Sequence, residues 1–395
     1  MPKSSSISLL KKYCSLDTSR SDGRYYRQAV ELIESLLKQI GFSTQIIKIP
    51  EPVAGKANRY NLHATLHRNS SFPTLLIYNH IDVVPAEYET AFLPVVKDGR
   101  LFARGAADHK GSTVAVLEAL QQLSVEDLRF NLVFLLTTDE ETDQISQLEY
   151  LEQRLEIDAS NTICFDPDTF ADSVTCANLG AYQFTIQAKG KAVHSGMSHL
   201  GANAIEALLK LQPTLLDLRQ HYANKVSQVE SFPKDGVSSK VKSSFNMNMI
   251  NGGVAANVVP ALAELTVDVR FAPDLSVKKE SEYIVETLLK AFASLDLAKN
   301  IEITSQSIYE GHLSKHPEID YFDKLLKDSG ARAGQYCVLG STPVAQWTKS
   351  LGIPHFGLGV ARYDSNIHGD NESCLLSDID QLTQVFAKYV CEKSF

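Results

Sequence analysis

Strands and helices alternate through the first 180 of the 395 residues, and that order narrows the possible folds more than any other feature of the chain. YYRQAVELIESLLKQI (25–40) has helical periodicity and stops at Gly41, a favourable C-cap residue. TLLIYNH (74–80) reads as a buried strand and GSTVAVLEALQQL, from Gly111, as a helix. RFNLVFLLTTDEE (130–141) reads as a strand ending in carboxylates, and NTICFDPD (161–168) as a shorter one. This order predicts an α/β domain with a mostly parallel sheet. From Gly180 the texture changes. AYQFTIQAKGKA, KVKSSFNMNMINGG and ALAELTVDVRFAP alternate with period two, as half-buried antiparallel strands do. Two helices intervene, one from Gly201 to about Gln220 that Pro213 bends or splits, the other from Val277 to about Phe292. The α/β texture resumes near 306. The expected fold is therefore a mostly parallel-sheet domain (1–180 and 306–395) carrying an inserted α+β, ferredoxin-like domain (181–305). Gln228 to Lys240 is the least regular stretch and reads as a mobile loop.

Composition removes several function classes. Apolar residues make up 44% and charged residues 22%, a globular profile. A formal charge of -9 argues against a nucleic-acid partner, which needs clustered Lys and Arg. No run of about 18 apolar residues is present to span a membrane, and MPKSSSISLLKKYCSL does not read as a secretion signal. The six cysteines, at 14, 164, 176, 337, 374 and 391, follow no framework and fit thiols of a reducing compartment, so a cytoplasmic location is expected.

The polar residues that interrupt this pattern fall where α/β sheets bind ligands, beyond the carboxyl ends of strands. His80 and Asp82 follow LLIY, two residues apart and so on one face of a strand. Asp108 lies in RGAADHKG, Asp139–Glu140–Glu141 close the next strand, Asp166 and Asp168 lie in FDPD, and His368 lies in NIHGDNE. Taken singly, each has an ordinary structural explanation, such as an N-cap or a turn opener. Together they are the nitrogen and oxygen donors that zinc and its first-row neighbours accept, and converging carboxylates without a cation repel one another.

In order and spacing, these segments resemble a family of dinuclear zinc amidohydrolases and peptidases. It includes acetylornithine deacetylase, succinyl-diaminopimelate desuccinylase, aminoacylase, carnosinase-type dipeptidases and glutamate carboxypeptidases. The resemblance rests on HID (80–82), RGAADHKG (104–111), DEE (139–141), DP (166–167), HSGMSHLGANAI (194–205), NGGVAANVVP (251–260) and HGDNE (368–372). It implies two divalent ions, zinc first and cobalt or manganese as alternatives. His80 would bind one and His368 the other, Asp108 would bridge them, and Glu141 and Asp166 would complete the two sets. Glu140 would remain free as the general base, and Asp82 would hydrogen-bond the far nitrogen of His80. From the inserted domain, His194 would reach an active site, often the partner subunit's, to stabilise the oxyanion. Arg270 would grip a substrate carboxylate, and Asn257 would assist. The larger domain would then be catalytic and the inserted one a lid and dimerisation domain. The resemblance implies cleavage of the amide bond of a small N-acyl amino acid with a free carboxylate by a homodimer. A dipeptidase or carboxypeptidase is the alternative, and a catalytically silent binding protein the remote one.

Three departures stand out. Pro343, in GSTPVAQW (340–347), replaces the Asp of deacetylase-type relatives and is closer to the peptidase branches. His109 stands where Met is common, and Asp166 where many relatives use Glu.

Overall fold

The computed structural model of the protein describes residues 2–19, 21–142, 145–155, 157–233, 239–340 and 342–391. Its larger sheet has six strands, in the spatial order Ser43–Ile49, Arg59–Leu66, Asn131–Thr137, Thr74–His80, Thr162–Phe165, His355–Phe356. The last four run parallel and the first two are added antiparallel. Strand 74–80 shows why the sheet must be covered on both sides. Leu75 and Ile77 enter one hydrophobic cluster, with Leu132, Phe134 and Val114. Leu76 and Tyr78 enter another, with Leu135, Leu148 and Trp347. Alternate side chains of one strand thus serve two cores. All ten residues of helix Gly111–Leu120 are buried, and it packs against helices Leu376–Val390 and Ser4–Cys14. The helix Tyr26–Ile40 ends as its sequence predicts, with Gly41 at φ 108 and its N–H bonded to the carbonyls of Leu37 and Lys38.

A second sheet is wholly antiparallel, in the order Ser244–Gly252, Leu262–Phe271, Gly180–Lys189, Ile301–Tyr309. The chain order and this strand order are those of a ferredoxin-like unit. Its core is separate. Phe184, Ile186, Val267 and Val269 pack on Leu208, Leu215, Ile284 and Leu288 from the helices. The expected helix after Gly201 is split, into Ala204–Leu209 and Gln212–Ala223, with Pro213 in the first turn of the second piece, where its missing N–H costs nothing. Strand Ile301–Tyr309 pairs with Gly180–Lys189 as far as Tyr309↔Ala181, three residues past 306. A register shift between Ser305 and Ser307 breaks its alternation, so the sequence pattern conceals it. Part of the stretch expected to be a loop forms a small hairpin, Val226–Glu230 against Lys240–Lys242. Residues 234–238 of that stretch lie outside the described residues.

Candidate metal centre

The donors gather at the carboxyl ends of the parallel strands. His80 is the last residue of its strand and is buried. Its Nδ1 lies 3.1 Å from the backbone carbonyl of Asp82. A proton on Nδ1, donated to that carbonyl, leaves Nε2 as a lone pair aimed into the cluster. The Asp82 carboxylate is 3.5 Å from Nδ1, and its hydrogen bonds go elsewhere. Oδ1 accepts from Glu140 N–H at 3.2 Å and Oδ2 from Glu141 N–H at 3.1 Å. Asp82 therefore orients the acidic pair with its side chain and His80 with its backbone.

Asp108 comes from the turn before helix 111–120. Its Oδ1 is 3.4 Å from His80 Nε2 and its Oδ2 is 3.1 Å from His368 Nε2, so one carboxylate faces both imidazoles. His368 Nε2 is also 3.1 Å from Glu141 Oε2. The third donor near His80 is Asp168, with Oδ2 at 3.4 Å from Nε2. Two sets of donor atoms result, His80–Glu140–Asp168 and Asp108–Glu141–His368, each lying within 4.8 Å of one another. Asp166, the expected ligand, is in neither. Its N–H still bonds Phe356 O at 2.8 Å, as a ladder residue, and its carboxylate turns to His355. Only beyond Pro167 does the chain enter the cluster. This turn presses on a neighbouring backbone, since a Cβ on Gly357 would lie 1.9 Å from Asp166 O.

Further polar side chains hold the donors in place. Glu372 Oε1 accepts from the N–H groups of Ala107 and Asp108 at 3.0 and 3.1 Å. Its Oε2 takes Arg104 at 2.8 Å, and the same guanidinium donates to His368 O at 3.1 Å. Both residues are buried. Asp139, at φ 63, is held by Arg59 at 2.7 Å and Gln147 at 2.7 Å. His109 stacks on His80 at 4.3 Å and faces the core, not the cleft. Lys110 is buried, and its Nζ donates to Tyr13 O and Leu16 O at 3.4 and 3.0 Å, at the end of helix 4–14.

Burial, and the pairing of imidazoles with carboxylates, set the electrostatics. Burial raises the Glu140 carboxyl well above its usual value; nearby His80 offsets part of that rise, while Asp168, Glu141 and Asp108 add to it. Burial and then Asp108 push Asp168 up to about 8. Burial opposes the charged form of Asp108, but the neighbouring imidazoles of His368 and His80 outweigh it and hold this carboxyl well below the usual range. Bonds to Asp108 and Glu141 push His368 up to about 10. Buried His80 Nε2, Asp108 Oδ1 and Glu141 Oε1 have no hydrogen-bond partner among the described residues. Orphaned nitrogen and carboxylate donors converging in this way fit divalent cations.

The cluster opens into a cleft of about 630 Å³, walled on one side by Asp108, Glu141, Asp168 and His368. Gln183, Asp268, Arg270 and Tyr309 of the second sheet wall the other side. Arg270 lines the cleft with Nε and Nη2 bonded to Asp268 at 2.9 and 3.1 Å. His194 and Asn257 are exposed and do not line it. They sit beside each other, with Ser195 N–H bonded to Asn257 O and His194 Nδ1 accepting from Gly196 N–H.

Among known proteins, the family described as peptidase family M20/M25/M40 matches residues 76–392. A probable succinyl-diaminopimelate desuccinylase of Staphylococcus epidermidis is 30% identical, over 68% of this chain and 70% of the relative. An acetylornithine deacetylase of Proteus mirabilis is 28% identical, over 78% of this chain and 76% of its own. A tripeptidase structure from Staphylococcus aureus superposes with a TM-score of 0.76 at 18% identity, covering 98% of this chain and 96% of that one.

Proposed function

The chain belongs to peptidase family M20/M25/M40 and is a hydrolase, and from that premise we propose that it cleaves the amide bond of an N-acyl amino acid using two divalent ions. The observation that carries this reading is Asp108, whose two oxygens face the imidazoles of His80 and His368, each beside a further carboxylate. His80, Asp108 and Asp168 would hold one ion, and Asp108, Glu141 and His368 the other. Asp168 thus takes the role that the sequence assigned to Asp166. Zinc suits these donors, as do cobalt and manganese.

Bound, the ions supply Lewis acidity and lower the pKa of a water. The chain's residues do the rest. Glu140, its carboxyl raised by burial, takes a proton from the attacking water and returns it to the departing nitrogen. Arg270 spends its Nε and Nη2 on Asp268, which leaves Nη1 for the substrate's carboxylate. Arg270 is the one Lys or Arg among the described residues lining the cleft, while Phe170, Val338 and Ile367 add apolar wall. A substrate with one carboxylate and an uncharged side chain suits that lining. His194 and Asn257 are proposed to act in the cleft of a second copy. The edge strand Ser244–Gly252 is exposed from Asn246 to Gly252, with Ile250 at 64% and Val254 beyond it at 90%. An open edge of this kind favours pairing across a two-fold axis in a homodimer.

Pro343, which lines the cleft, favours the second reading, a dipeptidase or carboxypeptidase. We place the enzyme in the cytoplasm; all six cysteines are free and buried, and no described helix is long and apolar enough to cross a membrane. A panel of N-acetyl and N-succinyl amino acids against dipeptides, run with zinc and with manganese, decides between the two enzymes. No turnover on any of them leaves the silent binding protein. In Glu140→Ala, turnover on the best substrate should fall by roughly 10²–10⁴-fold with both ions retained. Ion loss in that variant would make Glu140 a ligand.

A further inference from the structure

Asp166 is a carboxylate 5% exposed that belongs to neither set of donors, and it sits at the head of a buried polar chain. Its Oδ1 accepts the N–H of Asp168 at 3.0 Å. Its Oδ2 is 3.2 Å from His355 Nε2. His355 Nδ1 is 3.1 Å from Thr348 Oγ1, and the backbone N–H of His355 donates to Ser314 Oγ at 2.7 Å. Ser314 Oγ in turn lies 2.6 Å from His312 Nε2. The Thr348 hydroxyl also meets the carbonyls of Val344 and Ala345 at 2.9 and 3.2 Å, so the imidazole of His355 is held at both of its nitrogens. A fold brace alone needs no such chain, because a buried polar group costs stability unless every partner is supplied. What the chain does is fix both ends of the Asp166–Pro167–Asp168 turn. Pro167 limits the backbone between them, and the bond to Oδ1 sets the peptide that aims the Asp168 side chain at His80.

We propose that Asp166 and His355 are positioning residues, and that together they set the affinity for the ion held by His80 and Asp168. This rests on the metal reading of the site. Being 189 residues apart in sequence, the two would make binding of one ion depend on the packing of strand 355–356 as well as on the donors. The second set, Asp108–Glu141–His368, is braced by Glu372 and Arg104 instead, so the two ions should respond separately.

Metal-free full-length protein titrated calorimetrically with zinc, then with manganese, tests this without any assay of turnover. Wild type should take up two ions. Asp166→Ala and His355→Leu should each weaken one ion by roughly 10–100-fold and leave the other unchanged. Asp166→Asn keeps an oxygen for the Asp168 N–H and offers an amide N–H that His355 Nε2 can accept, with Nδ1–H then donating to Thr348 Oγ1, and should restore most of that affinity. Asp168→Asn should lose the same ion outright. Unchanged affinity in both Asp166→Ala and His355→Leu overturns the proposal. So does an Asp166→Asn as weak as Asp166→Ala beside an Asp168→Asn that still binds two ions, which would make Asp166 the ligand. Wild-type protein that takes up no ion fails differently, since it overturns the metal reading itself. Circular dichroism of each metal-free variant shows whether it is folded, and His355→Leu leaves the turn's own residues intact if Asp166→Ala is not.

Discussion

The residues expected to act come from two regions that treat them in opposite ways. On the parallel sheet every donor except His368, whose side chain is 51% exposed, is buried or half-buried and gripped from behind, His80 by the Asp82 carbonyl, Asp108 by Glu372, Glu141 by Asp82. On the antiparallel sheet the residues are exposed or half-exposed, and their bonds run to near neighbours, Arg270 to Asp268 and His194 to Gly196. Donors that must meet a small cation at fixed distances need geometry set before binding. Residues that meet a substrate or another subunit can wait for it, because the binding partner supplies the missing contacts.

The sharpest test of this contrast uses two inactive proteins. His194→Ala and Glu140→Ala, mixed and allowed to exchange subunits, should recover activity, to about a quarter of wild type for random pairing. No recovery would leave His194 outside the partner's site. Next, Arg104→Met strands Glu372 as a buried unpaired charge and should cost about 3–5 kcal/mol in urea unfolding. A loss near zero would mean that the Arg104–Glu372 pair does not hold this region. On the other sheet, Arg270→Lys keeps the charge but loses the fork. It should raise KM about tenfold, near 1.4 kcal/mol, with little change in kcat, whereas unfolding should not move.

The smallest effect concerns pH. Burial, then the charges of His355 and Lys349, lowers the His312 pKa to about 3 against 6.5. The unfolded chain therefore binds a proton that the folded chain refuses. Stability present above pH 6.5 is lost as pH falls toward 3. His312→Gln should remove about 1 kcal/mol of the difference in stability between pH 7.5 and 5.5. An identical pH profile in the variant would mean His312 is protonated in the fold.

Much of the centre was legible because its signal is local. A polar residue directly after an apolar strand, at His80 and at Glu140–Glu141, marks a site within a few residues of sequence. Asp108 and His368 were legible through their glycine-flanked motifs. Asp166 and Asp168 differ only in which side of Pro167 they occupy, and it is Asp166 whose carboxylate meets His355, far along the chain. No local pattern carries that. Glu372 stood in the quoted HGDNE segment, but its bond to Asp108 N–H spans 264 residues. Asp268 was readable in principle, since it lies two residues before Arg270 on one face of a strand. His194 is exposed and outside the cleft, and the role proposed for it needs a second copy, which one sequence does not describe.

Lys110 carries the last consequence. Its ammonium is sealed in the interior and satisfied by two carbonyls at the end of the first helix, while Asp108 lies two positions before it. Residues 2–16 are thus a foundation stone for the chemistry, though none of them is among the described residues that line the cleft. Trimming them, or fusing a tag that unwinds them, would maroon a cation in hydrocarbon and slacken the turn that presents Asp108, disabling the enzyme from the far side of the domain.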